Sequence, residues 1–418
     1  MSKEQVADMP SYAESIENDA RLYGYKTANL INLKNLISQF NESEQAKSLA
    51  QLYGEVDVKV PEFQPIAAAI IGDHLSKHAS EWQGLFDAFK TSFDAQENKD
   101  TLSEASIKKL EELQQVIIDS FQDHPLSDKS IEAFLRQNEI DGQQLLMVRS
   151  TGTHEDKADM ANPGGNESLP CLATPTAISA ALGRVAASYV SPKSLSQRLI
   201  VGDRSITELP VMPGLIQTMV GEGLGGSDQN KVVTSGVVYS NGGTTRLQSS
   251  YGHGEYVVNS KGKVDNFYVT QDGLVYSEIM PKDFRLKPVW QIPAKQILSD
   301  QAAGEVKIIP SSKLAPDEQM PGNLDAQNLN LLNVRDNSST KLTTQMPSGV
   351  EFGRESISLE RVDNDASLKY SPSLDSASVV YLHELAKFLE QRYDKRMDLE
   401  FVYNPAGSAS LDNKPTIN

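Results

Sequence analysis

Between Asp375 and Tyr403 the sequence leaves little choice of structure. Val379, Leu382, Leu385, Ala386, Leu389 and Tyr393 recur at three- and four-residue intervals, the period of a helix with one apolar stripe. In the next segment, MDLEFVY, the period becomes two: Met397, Leu399 and Phe401 alternate with Asp398 and Glu400. Successive side chains of a strand point to opposite faces, so this pattern predicts a half-buried strand with two carboxylates side by side on one face. Two such carboxylates repel each other, and a hard divalent cation relieves that repulsion. The plainer alternative is a solvated strand face, and chemistry alone leaves both open.

Elements of both kinds recur upstream. Leu30, Leu33, Leu36 and Ile37 have helical spacing within 28–40, and KVPEF (59–63) is extended. Residues 101–121 read as a helix with Ile107, Leu110, Leu113 and Ile117 buried and a capping box from Thr101 to Glu104. LLMVRS (145–150) is an apolar strand ending in a charge. After a polar, glycine-containing loop (151–168), Thr174 caps a helix with Pro175 in its first turn and Ile178, Ala181, Leu182, Val185 and Tyr189 on its apolar face. VMPGLIQTMV (211–220) and TSGVVYS (234–240) read as paired strands. GEYVV and FYVTQDGLVYSEI continue the sheet, with Asp272-Gly273 as a hairpin turn. Residues 275–370 read as an insertion of short strands and loops, and residues 1–20 as a loose acidic arm. Mixed strands and helices throughout argue for α+β or α/β architecture.

The chain of 418 residues carries a net charge of −17, which repels nucleic acid and anionic lipid. A polyanion such as ATP must then be met by local groups: a few Lys and Arg side chains, backbone N–H donors, and metal ions held by carboxylates. No run of eighteen apolar residues exists to span a membrane, and the N-terminus lacks the layout of a secretion signal. The single cysteine, Cys171, allows no internal disulfide or thiol metal cluster and reads as a small buried apolar residue. These features fit a cytoplasmic protein, although a secreted protein without disulfides would look the same.

Several residues could serve an anion. Gly164 and Gly165 sit among hydroxyls and amides, where backbone N–H groups can approach a phosphate; an ordinary surface loop has the same composition. Arg149, at the end of an apolar strand, needs an anionic partner, either a phosphate or a structural carboxylate. Lys26, in GYKTANL, stands where a loop becomes a helix, a position that favours anions. Gly252 and Gly254 in YGHGEYVV suggest a tight turn with Glu255 at the start of a strand. No two of the six histidines share metal-binding spacing, and His74, His78, His124 and His383 read as solvent-facing.

Taken in order, these fragments resemble one family. GYKTANLINLKNL is similar to GGKGANLxxL, and VPEF to VPxGF. VRSTGTHEDKADMANPGGNES is similar, without a gap, to VRSSATAEDLPxASFAGQQET. LIQTMV…TSGVVYS resembles QxMV…SGVxFT, YGHGEYVV resembles GLGExVV, and LAKFLEQRYDKRMDLEFVY resembles LAxxIExxYGxPxDIEWA. The family is the ATP-binding domain of phosphoenolpyruvate synthase and pyruvate phosphate dikinase, shared with rifampicin phosphotransferases. The resemblance implies an α+β, ATP-grasp-like fold with the nucleotide between two lobes. It assigns 21–205 to an N-terminal lobe carrying Lys26, Arg149 and the glycine loop, and 206–274 with 371–418 to a C-terminal lobe.

It also implies roles. Lys26 and Arg149 would be catalytic and grip the ATP phosphates, with Gly164 and Gly165 closing over them. Gln217 and Met219 would lie near adenine, Glu255 would face ribose or metal, and Glu400 with Asp398 would hold Mg2+. LDNKP (411–415) stands where the family has QxRP, so Asp412 and Lys414 replace a Gln and an Arg that contact metal and phosphates. Lys keeps the charge but loses the bidentate fork. An Asp beside a triphosphate repels it unless a cation lies between. GGKG has likewise become GYKT. The family's enzymes carry a mobile domain with a catalytic His in a TSHA-type motif, which this sequence lacks. The implied activity is an ATP-dependent phosphotransferase of kinase or dikinase type whose acceptor lies on a separate domain or protein. The alternative is an inactive descendant kept as a binding or regulatory module.

Overall fold

The computed structural model describes residues 12–152, 167–200, 202–203, 206, 211–223, 232–258, 262–293, 332–335, 340–343, 356–405 and 414–418. Gly164, Gly165, Asp412 and most of the acidic arm lie outside them. The class is α+β: two compact units each combine helices with sheet, antiparallel in the first and mostly antiparallel in the second, where Asp57–Val58 pairs in parallel with Thr416–Ile417. The first contains the residues up to Leu33 together with Glu62–Met219, and the second contains Lys34–Pro61 and the described residues from Val220 onward.

In the first unit a four-stranded sheet runs in the order Phe63–Ile66, Gly214–Thr218, Leu145–Ser150, Ser168–Leu172, every pair antiparallel. Leu146, Val148, Ile216 and Cys171 point from one face into a core completed by helices Ala79–Ala95, Glu104–Asp123 and Pro175–Ser188. Gly183 sets the spacing of the last two helices, because a Cβ there would lie 2.5 Å from Cβ of Phe121. Thr174 caps its helix by accepting from the Ala177 N–H, as the sequence indicates.

The second unit holds a seven-stranded sheet in the order Asp57–Val58, Thr416–Ile417, Met397–Asn404, Thr234–Asn241, Thr244–Tyr251, Asp265–Val269, Val275–Glu278. Helix Ser376–Tyr393, capped by Asp375, buries Val379, Leu382, Leu385 and Leu389. Facing the same side of the sheet are Phe401, Val238, Leu247 and Phe267, all buried, and the helix contacts all four of their strands. A second sheet runs in the order Leu332–Arg335, Thr340–Thr343, Phe284–Pro293, Ser356–Asp363.

Beneath the large sheet lies a fully buried ion pair. Lys282 Nζ donates to both oxygens of Asp265 at 2.8 and 2.9 Å, and both side chains have 0% exposure. Asp265 also accepts from the N–H of Met280 and from the N–H and hydroxyl of Ser373, while Lys282 donates to the Met280 carbonyl. A buried pair survives desolvation only when its remaining hydrogen-bonding capacity is met, as it is here.

Several expectations change. Residues 12–23 form a helix rather than a loose arm. The helix expected from Thr101 begins at Glu104, so Ser103 is the cap, accepting from the Ser106 N–H at 3.2 Å. GEYVV is a short helix, Glu255–Val258, since so brief an apolar run does not distinguish helix from strand. The strands in 211–220 and 234–240 belong to different sheets. His74 and His383 are buried, not solvent-facing. His74 shares an apolar helix face with Ile71 and Leu75, and burial, with His78, His124 and Lys77 adding to it, pushes its imidazole down to about 4. His383 Nδ1 lies 2.8 Å from the Thr245 hydroxyl.

Asp265→Ala should destabilise the second unit by about 3–5 kcal/mol, because it strands a buried ammonium. Paired replacement of Asp265 and Lys282 by Leu and Met should cost less. Urea unfolding of the three proteins measures both, and equal losses in the single and double variants would contradict the interpretation.

Candidate functional site

Apart from Lys414, the described groups singled out in the sequence fall into two clusters, one in each unit. In the first unit, the turn between helices Tyr12–Tyr23 and Tyr25–Glu42 lies against the residue that follows strand Leu145–Ser150. Gly24 has φ +80°, and a Cβ there would sit 1.6 Å from the Thr151 carbonyl oxygen. Only glycine permits both the dihedral and the approach. The Thr151 hydroxyl accepts from the N–H and the hydroxyl of Thr27, each at 3.1 Å, and donates to the Tyr23 carbonyl at 2.8 Å. Thr27 and Thr151 are both fully buried.

This clamp joins the two elements that carry the expected phosphate ligands. Lys26 is the second residue of its helix, next to Thr27, and is half-buried. Among the described residues, no hydrogen bond or ion pair engages its ammonium group. Arg149 is two residues before Thr151 and also half-buried. Its Nη1 lies 3.5 Å from Gln217 Oε1. Strand alternation explains the pairing: Arg149 lies opposite Leu215 and Gln217 opposite Met147, so all four project from the sheet face away from the helical core. Met219, whose N–H donates to the Leu145 carbonyl at 3.1 Å, continues that alternation. Arg149, Gln217 and Met219 therefore share one face.

In the second unit Asp398 and Glu400 are exposed on the sheet face opposite helix Ser376–Tyr393. Tyr239 is the register partner of Asp398 and Val237 that of Glu400. Burial, followed by the Asp398 and Glu400 carboxylates against the opposing Arg246, pushes the Tyr239 phenol up, so both acids act on the same side chain. Val237 packs with Tyr256 and Val257, which brings the short helix that starts at Glu255 onto the same face. The Glu255 N–H donates to His253 Nδ1 at 3.3 Å. Lys414 is elsewhere, in an exposed ion pair with Glu55, where the chain enters strands Thr416–Ile417 and Asp57–Val58.

Sequence reasoning passed over Thr27 and Thr151. Nothing in the sequence marks two threonines 124 residues apart as partners, although Thr27 stands where the family pattern has a glycine. A family model, pyruvate phosphate dikinase, AMP/ATP-binding domain, matches residues 45–310, more than half of the chain. The matched span includes Arg149, Gln217, Met219 and Glu255; Lys26, Asp398, Glu400 and Lys414 lie outside it. Comparison with curated proteins found no match. Among the described residues, no helix is long and apolar enough to cross a membrane.

Thr151→Val removes the shared acceptor while preserving shape. It should destabilise the first unit by about 1–3 kcal/mol, the cost of leaving buried donors unmet. Chemical denaturation checks this, and a neutral substitution would show that the clamp is incidental.

Proposed function

Since the chain belongs to the family of the pyruvate phosphate dikinase AMP/ATP-binding domain, we propose that it is an ATP-grasp-like domain that binds ATP with Mg2+ and serves a phosphotransferase. Lys26 and Arg149 bind the phosphates. The loop holding Gly164 and Gly165 supplies backbone N–H groups to them. Gln217 and Met219 contact adenine, and Glu255 contacts ribose or metal. Asp398 and Glu400, with Asp412, hold Mg2+, whose bound form neutralises phosphate charge. The residues suit these tasks: carboxylate oxygens are the ligands that Mg2+ prefers, and phosphoryl transfer depends on positioning and charge neutralisation more than on covalent chemistry.

The observation that carries the proposal is the clamp at Thr151, which ties the helix of Lys26 to the strand end of Arg149 in a chain of net charge −17. In so acidic a chain, two cations on backbone anchored by buried hydrogen bonds are the local groups that a polyanion requires. The phosphate acceptor is a group on a separate domain or protein.

The second reading, a binding or regulatory module without transfer activity, draws on the Lys414–Glu55 ion pair. That pair engages the lysine that replaces the family's phosphate-contacting arginine. An exposed pair of this kind is weak and readily exchanged, so it leaves nucleotide binding as the leading proposal.

Calorimetric titration with ATP, with and without Mg2+, tests the reading on wild type, Lys26→Ala, Arg149→Ala and Glu400→Gln. Saturable binding is expected in the wild type. It should weaken about ten- to hundred-fold in Lys26→Ala and Arg149→Ala, the loss of one charged hydrogen-bond partner. Glu400→Gln should lower the gain from Mg2+. Absence of binding at millimolar ATP would sink the proposal. If ATP binds, assaying for AMP or ADP separates the phosphotransferase from the silent module.

A further inference from the structure

In the first unit, three helix termini converge. His78 ends helix Ala68–Lys77 and caps helix Ala79–Ala95, Glu81 lies in the first turn of the latter, and His124 caps the end of helix Glu104–Asp123. Glu81 Oε1 lies 3.1 Å from His124 Nε2 and 3.5 Å from His78 Nδ1. One ligand atom from each residue lies within 4.8 Å of the other two. The imidazole rings of His78 and His124 stack with centroids 4.2 Å apart and planes at 11°.

We propose that His78, Glu81 and His124 form a binding site for a late first-row divalent cation, with Zn2+ as its natural probe.

Two imidazole nitrogens and one carboxylate oxygen suit Zn2+, Ni2+ or Cu2+, whereas Mg2+ and Ca2+ prefer oxygen alone. The spacing is right for such an ion. Bonds of about 2.0–2.2 Å at tetrahedral angles place ligand atoms roughly 3.4 Å apart. The two contacts made by Glu81, at 3.1 and 3.5 Å, already bracket that separation. Three protein ligands leave one position for water, and the graded side-chain exposure of 23%, 35% and 47% for His78, Glu81 and His124 gives an ion access from solvent.

The surroundings anchor the backbone that carries these side chains, and ligation by both imidazoles requires His78 and His124 to rotate out of their parallel stack, because each nitrogen lone pair lies in its ring plane. Trp82, one residue after Glu81, is buried and donates through Nε1 to the Leu75 carbonyl at 2.8 Å. Phe121, one helical turn before His124, is fully buried. Between these elements lies His74, its ring centroid 4.9 Å from that of His78 and 4.0 Å from that of Phe121. His74 is 6% exposed, and among the described residues its Nε2 has no hydrogen-bond partner. A buried polar atom without a partner is costly, and here it lies beside the proposed ligands. Binding would fasten the junction of two helices to the end of a third, which makes the ion's role structural and independent of the nucleotide proposal.

Calorimetric titration of the full chain with ZnCl2 in the absence of nucleotide tests the site. The wild type should bind one ion in the micromolar range and melt at a higher temperature when loaded, and EDTA should reverse both effects. His124→Ala and Glu81→Gln should each weaken binding about tenfold or more, and Glu400→Gln should leave it intact. Both principal substitutions lie at partly exposed positions, and circular dichroism confirms that the variants fold. No saturable binding by the wild type, or affinity unchanged in His124→Ala and Glu81→Gln, would overturn the proposal.

Discussion

At Gly24 the backbone passes so close to Thr151 that no side chain could be fitted between them. This contact joins residues 127 positions apart, and the hydroxyl triangle of Thr27, Thr151 and the Tyr23 carbonyl fixes its geometry. Thr27 and Thr151 are buried, Tyr23 is half-buried, and each donor and acceptor has a partner, so sliding the helix along the strand end would leave buried hydrogen bonds unmet. Lys26 and Arg149 inherit their positions from that constraint. Both are long, flexible side chains, and anchoring their backbones lowers the entropy lost when they close on an anion.

The second unit works by a different rule, the two-residue period of the strand. Helix Ser376–Tyr393 covers one face of the large sheet, which requires Phe401 and Val238 to turn inward and Asp398 and Glu400 to turn outward. A one-residue slip of strand Met397–Asn404 would drive both acids beneath the helix. The buried Asp265–Lys282 pair resists such disorder by joining a sheet strand to the segment around Met280 and to Ser373, just before the Asp375 cap. That cap in turn accepts from the Tyr403 hydroxyl at 2.6 Å, which ties the helix start back to the strand it covers.

Much of this was legible in the sequence where a pattern is local. The Asp375 helix and its strand, the Thr174 cap with Pro175, the LLMVRS strand and the Asp272-Gly273 hairpin all depend on spacing within a few residues. What the sequence hid is long-range. Residues 214–218 and 234–240 read as neighbours because they are adjacent apolar runs, yet one pairs with Leu145–Ser150 and the other with Met397–Asn404. GEYVV carries too few residues to reveal its period. His74 passed for a surface residue because polarity outweighed its place on an apolar helix face. Among the candidate site residues, Arg149 is marked by ending an apolar strand, whereas Gln217 is singled out only by the family resemblance. Thr27 and Thr151 carry no local signal, and their importance emerges only from the distance between them.

Amide hydrogen exchange read by mass spectrometry, with and without saturating Mg-ATP, addresses the central claim most directly. The expected result is slowed exchange in peptides spanning residues 23–28, 145–152 and 215–219, the backbone that carries Lys26, Arg149 and Gln217. Unchanged exchange in all three segments at saturating nucleotide would contradict the claim that the clamp presents these groups to ATP.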